Sequence, residues 1–72
     1  MKKVTLFSTR FAELRKNNKV TLKTLSGVIG ITQQSIFAFE KGKTVPSFYT
    51  LIAIADYFNV SLDYLVGRSD EQ

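Results

Sequence analysis

Two adjacent glutamines, Gln33 and Gln34, follow Thr32 and precede Ser35 in a stretch of helical spacing. A carboxamide donates and accepts hydrogen bonds at once, and in this way a Gln side chain makes a bidentate match to the edge of an adenine. Catalytic chemistry is harder to assemble from this chain. It has no His and no Cys, which removes thiol nucleophiles, disulfides, the commonest general base and the usual zinc and iron ligands. The best remaining acid–base candidates, Glu13, Glu40, Asp56 and Asp63, are scattered along the chain. Glu40 is better explained by a local hydrogen bond or by pairing with Arg10 or Arg15. The expectation is a protein that is not an enzyme and uses no cofactor and no metal.

The charge is unevenly placed. The net charge is +4, yet nine of the ten Lys and Arg residues fall within residues 1–43, against only Glu13 and Glu40. Residues 44–72 hold Arg68 against Asp56, Asp63, Asp70 and Glu71. A basic front and an acidic back suit a molecule that turns one face to a phosphate backbone, where neutralising phosphates releases counterions. Ordinary solvated lysines would give the same composition, so charge alone leaves both readings open.

At 44% hydrophobic residues, with four Gly and one Pro, the chain reads as globular rather than disordered. Its 72 residues predict a single domain over 1–72, with a core spanning about 7–66 and a flexible polar tail over 67–72. No apolar run approaches the roughly 20 residues of a membrane helix. Met1-Lys2-Lys3 is not followed by the uninterrupted apolar stretch of a signal peptide, and a cytoplasmic location is expected.

Five short helical patterns position these residues, and no strand is expected. Phe7, Phe11 and Leu14 recur at helical spacing and predict a first helix from about Ser8, its N-cap, to a stop at Asn17-Asn18. Thr21 caps a second helix carrying Leu22, Leu25, Val28 and Ile29 inward, which Gly30 ends because glycine takes the left-handed conformation without steric cost. Thr32 caps a third helix with Ile36 and Phe39 inward, terminated by Gly42. Ser47 caps a fourth, with Phe48, Leu51, Ile52, Ile54, Ala55 and Phe58 as its apolar set and Asn59 as a left-handed end. Ser61 caps a short fifth with Leu62 and Leu65.

The second and third patterns carry the informative spacing. Ser26 permits close approach of two helices, Gly30 makes a three- to four-residue turn, and Leu25, Ile29, Ile31, Ile36 and Phe39 pin a steep crossing, as a helix-turn-helix requires. From about Phe7 to Leu65 the chain resembles the phage-repressor and Cro class of helix-turn-helix domains, the XRE type. The stretch Gly30 to Thr44 (GITQQSIFAFEKGKT) looks especially like a recognition helix of the phage 434 repressor kind. Val45-Pro46-Ser47 and Asn59-Val60-Ser61-Leu62-Asp63-Tyr64-Leu65 also resemble the family at the starts of its fourth and fifth helices. The resemblance implies an all-α, compact, five-helix lambda-repressor-like domain. It further implies a homodimeric, sequence-specific transcriptional repressor on an inverted-repeat operator, with Gln33, Gln34 and Ser35 at base edges and Lys43 and Thr44 near phosphates.

The residues support that role on their own terms. Winding the third helix at about 100° per residue from an inward Ile36 turns Gln34, Phe37, Ala38 and Lys41 outward, with Gln33 on the exposed first turn. Phe37 and Ala38 can pack on thymine methyls, and an outward Phe37 can equally pack on a neighbouring loop or anchor a protein partner. Phosphate contacts are expected from the helix N-termini at Thr21 and Thr32 and from Lys41, Lys43 and Thr44, with Lys23 and Arg10 as additions. Many members of the family begin the second helix with a Gln that contacts phosphate. This chain has Leu22 there, which leaves that clamp to be found elsewhere.

Tyr57, Tyr64, Leu65 and Val66 are the candidates for a dimer interface, and each can equally complete the monomer core. The alternative function is a protein-binding module, an antitoxin or anti-repressor, anchored at Phe37. RNA polymerase or a protein antagonist is a further conceivable partner.

Overall fold

The computed structural model describes residues 2–72, with side chains from Leu6 onward. Five helices follow one another: α1 (Lys2–Asn17), α2 (Leu22–Ile29), α3 (Gln33–Glu40), α4 (Phe48–Phe58) and α5 (Leu62–Leu65). No strand occurs among the described residues. Four of the helices are capped as their sequences predict. Thr21, Thr32, Ser47 and Ser61 each sit in extended conformation and accept a hydrogen bond from the backbone N–H three residues on, satisfying a donor that a helix start leaves open. Gly30 (φ 85°) and Asn59 (φ 57°) close α2 and α4 in the left-handed region, also as expected.

The first helix departs from expectation. Ser8 is not its cap: α1 begins at Lys2, and Ser8 lies in mid-helix, buried. Phe7 explains the extension. Its ring stacks on Phe11 at 5.6 Å, one turn further on the same face, so the residue before Ser8 already packs as part of the helix. No Gly or Pro stands upstream to stop the helix. At the far end the left-handed residue is Lys19 (φ 57°) rather than an asparagine. Asn18 instead caps with its side chain, whose Nδ2 donates to the Leu14 carbonyl at 2.7 Å.

The core gathers Phe7, Phe11 and Leu14 of α1, Leu25 of α2, Ile36 and Phe39 of α3, Ile54 and Ala55 of α4 and Leu65 of α5. Phe39 meets Phe7 and Phe11 at 6.5 and 6.4 Å, so the third helix plugs into the aromatic face of the first. Two residues expected inside are outside. Val28 is exposed because Leu22, Leu25 and Ile29 already define the buried face of α2, and Val28 stands about 60° to its edge. Phe48 shares the inward face of α4 on a helical wheel. As the first residue of the helix it overhangs the core, and it is exposed.

The tail over 67–72, expected to fray, is tied down. Arg10 donates from Nη1 to the carbonyls of Tyr64 and Ser69, both at 2.6 Å, and from Nη2 to Asp70 at 2.8 Å. Its guanidinium also lies 4.3 Å above the Tyr64 ring. The Gln72 carbonyl accepts from Ser61 N–H at 2.7 Å. Residues 67–72 therefore pack beside α5 and the middle of α1.

A polar contact ties α1 to the end of α3. Arg15 of α1 makes a two-pronged bond to Glu40, the last residue of α3: Nε donates to Oε2, and Nη2 to Oε1 at 3.1 Å. Its Nη1 donates to the Val20 carbonyl at 3.0 Å, tying in the loop between α1 and α2. The two side chains are only 16% and 8% exposed. Removing one partner of such a pair strands a buried charge, at a cost of about 3–5 kcal/mol. A domain of this size holds only about 4–11 kcal/mol in total. Glu40→Ala and Arg15→Ala are therefore each expected to lower the urea midpoint drastically, followed by circular dichroism. The apolar double replacement Arg15→Met/Glu40→Leu should recover most of the loss. Single variants as stable as wild type would show that the pair does not hold the helices together.

Candidate nucleic-acid interface

The turn between α2 and α3 is three residues, Gly30 to Thr32. Gly30 reverses the chain, and its N–H donates back to the Ser26 carbonyl at 2.9 Å. The Ser26 hydroxyl then bonds to the Ile31 carbonyl across the turn. Ser26 thus does more than allow close approach; it fastens the start of α3 to α2. The Thr32 hydroxyl accepts from Ser35 N–H at 3.0 Å and donates to the Ser35 hydroxyl at 2.9 Å. This bonding leaves the first-turn amides of Gln33 and Gln34 without an intrahelical acceptor, pointing out at the positive end of the helix. Thr21 caps α2 in the same way, with its hydroxyl bonded to Thr24 N–H and hydroxyl, both at 3.0 Å. At both helix starts the threonine hydroxyl is committed to the cap, so an anion there would meet backbone N–H groups.

The outward face of α3 is now concrete. Gln33, Gln34, Phe37 and Lys41 are exposed, Ser35 and Ala38 half-buried, and Ile36 and Phe39 buried. On a helix, residues four apart form rows. One row runs Gln33, Phe37, Lys41 and the next runs Gln34, Ala38. Each starts with an amide and continues with an apolar group. The Lys41 ammonium lies 5.1 Å from the centre of the Phe37 ring.

The helix closes into a basic loop. Lys41 N–H donates to the Phe37 carbonyl at 3.0 Å, Gly42 (φ 74°) to Phe39 at 3.1 Å, and Lys43 to Ala38 at 3.0 Å. With its backbone so fixed, the loop holds Lys41, Lys43 and Thr44 out in solvent. Lys23 is exposed on the first turn of α2. Leu22 is half-buried against the core, so the first residue of α2 offers no polar group. Bracing of α3 comes instead from Ser26 and from Arg15, whose guanidinium Glu40 holds charged above its already high ordinary range through a direct hydrogen bond.

Two groups of expected residues lie elsewhere. Arg10 faces the C-terminal segment, where both its terminal nitrogens make hydrogen bonds. Leu65 is fully buried and completes the monomer core; Tyr64 and Val66 are half-buried, and Tyr57 is the exposed member of that group. Val45, Phe48 and Tyr49, around the start of α4, are solvent-exposed, although the sequence reading had set Phe48 inward and gave none of the three a site role. The signal available was Pro46-Ser47, which sets the helix start and so places Phe48 and Tyr49 beyond the edge of the core. Among the described residues no group of three Asp, Glu, His or Cys could hold a metal ion, and no helix is long and apolar enough to cross a membrane.

Residues 11–65 match the family described as Helix-turn-helix. The chain is 38% identical over 68 residues to the uncharacterised HTH-type transcriptional regulator YqaE of Bacillus subtilis, covering 93% of this chain and 59% of that protein. It is 36% identical over 59 residues to the cryptic phage CTXphi transcriptional repressor RstR of Vibrio cholerae, covering 82% and 53%. It is 33% identical over 64 residues to an uncharacterised HTH-type transcriptional regulator of Archaeoglobus fulgidus, covering 89% and 91%. The chain thus spans about three-fifths of the length of the first of these relatives. Among solved structures it is similar to the P22 c2 repressor protein in complex with a synthetic operator, with a TM-score of 0.83 and 26% identity over 89% of this chain and 97% of that one.

The fixed loop after α3 gives a direct test of how that helix is held. A Cβ on Gly42 would sit 3.2 Å from the Ser8 hydroxyl in a left-handed backbone. Gly42→Ala should therefore cost about 1–2 kcal/mol in urea unfolding. A neutral result would mean that the loop is free to rearrange.

Proposed function

Because this chain belongs to the helix-turn-helix family of transcriptional regulators, we propose that it reads double-stranded DNA by sequence, with α3 lying in the major groove, and that it represses transcription as a homodimer on an inverted-repeat operator. The observation that carries this reading is the exposed amide pair Gln33 and Gln34 on the first turn of a helix whose other face is locked into the core. A bidentate amide contact specifies adenine, and a wrong base there costs about 1–3 kcal/mol. In this reading Ser35 assists at the base edges, and Phe37 and Ala38 lie against thymine methyls. The backbone amides behind Thr21 and Thr32, with Lys23, Lys41, Lys43 and Thr44, take the phosphates and set the register.

Two such domains on half-sites about 34 Å apart would place their third helices in successive major grooves. Tyr57 and the exposed parts of Tyr64 and Val66 are the surface available for pairing. Occupying an operator is enough to block polymerase, which makes repression the simplest outcome. The similarity to proteins named as repressors favours the same sign.

Selection from a random duplex pool is expected to converge on an inverted repeat with A·T pairs in each half-site. Gln34→Ala should lose selectivity at one of those pairs. Failure to enrich any sequence, together with weak binding unchanged by Gln34→Ala, would refute DNA reading by this chain and turn attention to a protein partner at Phe37. Salt dependence separates the cations. Lys43→Ala should reduce the slope of log affinity against log salt by about one per domain. Arg10→Ala should leave the slope alone, because its donors serve the C-terminal carbonyls. Equal slope changes in the two variants would return Arg10 to the phosphate set.

A further inference from the structure

Residues 67–72 are laid back across α5 by polar contacts. The chain turns at Gly67 (φ 88°), and Arg68 N–H and Ser69 N–H both donate to the Asp63 carbonyl, at 2.7 and 3.2 Å. The segment then runs back to the start of the helix. There the Ser61 hydroxyl donates to the Glu71 carbonyl at 3.4 Å and Ser61 N–H to the Gln72 carbonyl at 2.7 Å, while the Gln72 amide donates to the Tyr64 hydroxyl at 3.5 Å. Arg10 fastens the middle through Ser69 and Asp70, with its guanidinium over the Tyr64 ring. Tyr64 is therefore held between Arg10 at its ring and Gln72 at its hydroxyl. Beyond Gly67 no apolar residue anchors this strap: Ser69 is half-buried, and Arg68, Asp70, Glu71 and Gln72 are exposed. A segment held by a few rim hydrogen bonds and an exposed ion pair opens at low cost in free energy.

What the strap covers is a face that a homodimer needs. A two-fold interface brings the same patch of both copies together, so the charge on that patch meets itself. The strap adds Asp70 and Glu71 to an end of the molecule that already holds Asp63, and its own Arg68 stands 3.9 Å from Asp63. Closed, this face is polar and net acidic, and it repels its copy. Open, it presents more of the Tyr64 ring and of Val66, the aromatic and apolar surface that suits self-association. Resting on the homodimer proposed above, we infer that residues 67–72 are an autoinhibitory strap that competes with a second copy of this chain for the α5 face. Pairing requires the strap to leave Ser61 and Arg10, so association is weakened by the equilibrium for closing, once for each copy. An inverted repeat that brings two copies together pulls the strap open, whereas the strap keeps free chains from pairing away from DNA.

Two substitutions open the strap from outside the core. A Cβ on Gly67 would lie 2.9 Å from the Leu6 side chain in a left-handed backbone, so Gly67→Ala forces the root of the strap away from α1. Asp70→Ala removes the ion pair to Arg10 from a side chain that is 98% exposed, leaving the helices untouched. A third variant closes the strap. Ser61→Cys/Glu71→Cys puts the chain's only two thiols on neighbouring positions; oxidation locks the strap and reduction frees it in the same protein, so the lost Ser61 cap cancels. Sedimentation of the full chain, free and on the selected operator, reads the pairing. Gly67→Ala is expected to pair about ten- to a hundredfold more tightly than wild type, two straps being released per dimer, and Asp70→Ala about two- to tenfold. The oxidised variant should stay monomeric at concentrations where its reduced form dimerises. Circular dichroism identifies a variant that has unfolded, and Asp70→Ala then carries the comparison. Pairing unchanged by the substitutions, or equal in the oxidised and reduced forms, overturns the strap. Weaker pairing in Asp70→Ala overturns it too, because residues 67–72 would then belong to the interface. If neither wild type nor any variant pairs, free or on an inverted repeat, the homodimer reading fails and the strap falls with it, while the adenine contacts of Gln34 still stand.

Discussion

A single two-pronged ion pair holds the third helix where it can be used. Arg15 reaches from the last turn of α1 to Glu40 at the end of α3, and its remaining nitrogen takes the Val20 carbonyl in the loop that leads to α2. The end of α1, the loop after it and the end of α3 therefore meet on one guanidinium. The apolar contacts of α3 amount to Ile36 and Phe39, two residues on an eight-residue helix. Two such contacts fix a helix's depth better than its rotation. A planar fork bonded to both carboxylate oxygens adds direction, and direction decides which residues of α3 face outward. A buried pair of this kind is worth little as net stability against an apolar substitute, so its value here lies in geometry.

That geometry is shared between the two ends of α3. At its start Thr32 and Ser26 tie the turn; at its close Gly42 bends the chain under Ser8, and Lys43 N–H returns to Ala38. No buried side-chain nitrogen or oxygen among the described residues lacks a hydrogen-bond partner. The exposed amides, by contrast, are left open. A helix whose inner face is fully satisfied and whose outer face is not has its unspent hydrogen bonding concentrated on one side, where a base edge would supply the missing partners.

Much of this arrangement was legible in the chain because it depends on local chemistry. Four N-caps and two left-handed C-terminal residues were readable, since each depends on a hydroxyl or a permitted φ within three residues. The outward face of α3 followed from one inward anchor, Ile36. What could not be read was set at long range. Ser8 looked like a cap until Phe7 had to stack on Phe11; Phe48 looked buried until the core ended before it; the tail looked loose until Arg10, about 60 residues away, took hold of it. Leu65 fell among the dimer candidates because an apolar residue on a short terminal helix suits either a core or an interface. Its fully buried position assigns it to the core.

The basic half of the sequence also divides in a way that composition hides. Both of its arginines, Arg10 and Arg15, turn inward and bind carbonyls and carboxylates through several nitrogens each. Every lysine from Lys16 to Lys43 is exposed. The division follows the side chains: a rigid fork suits fixed acceptors, while a flexible, well-hydrated point charge suits a surface whose acceptors arrive with the ligand. The positive charge available to a partner is therefore smaller than the sequence suggests, and it sits on groups that attract phosphates without dictating a register. Register must come from rigid donors, and on this face those are the helix-start amides behind Thr21 and Thr32, held by their caps. Lysines would draw a duplex in, capped helix starts would set its position, and the amide and ring rows of α3 would then meet the bases at a fixed height.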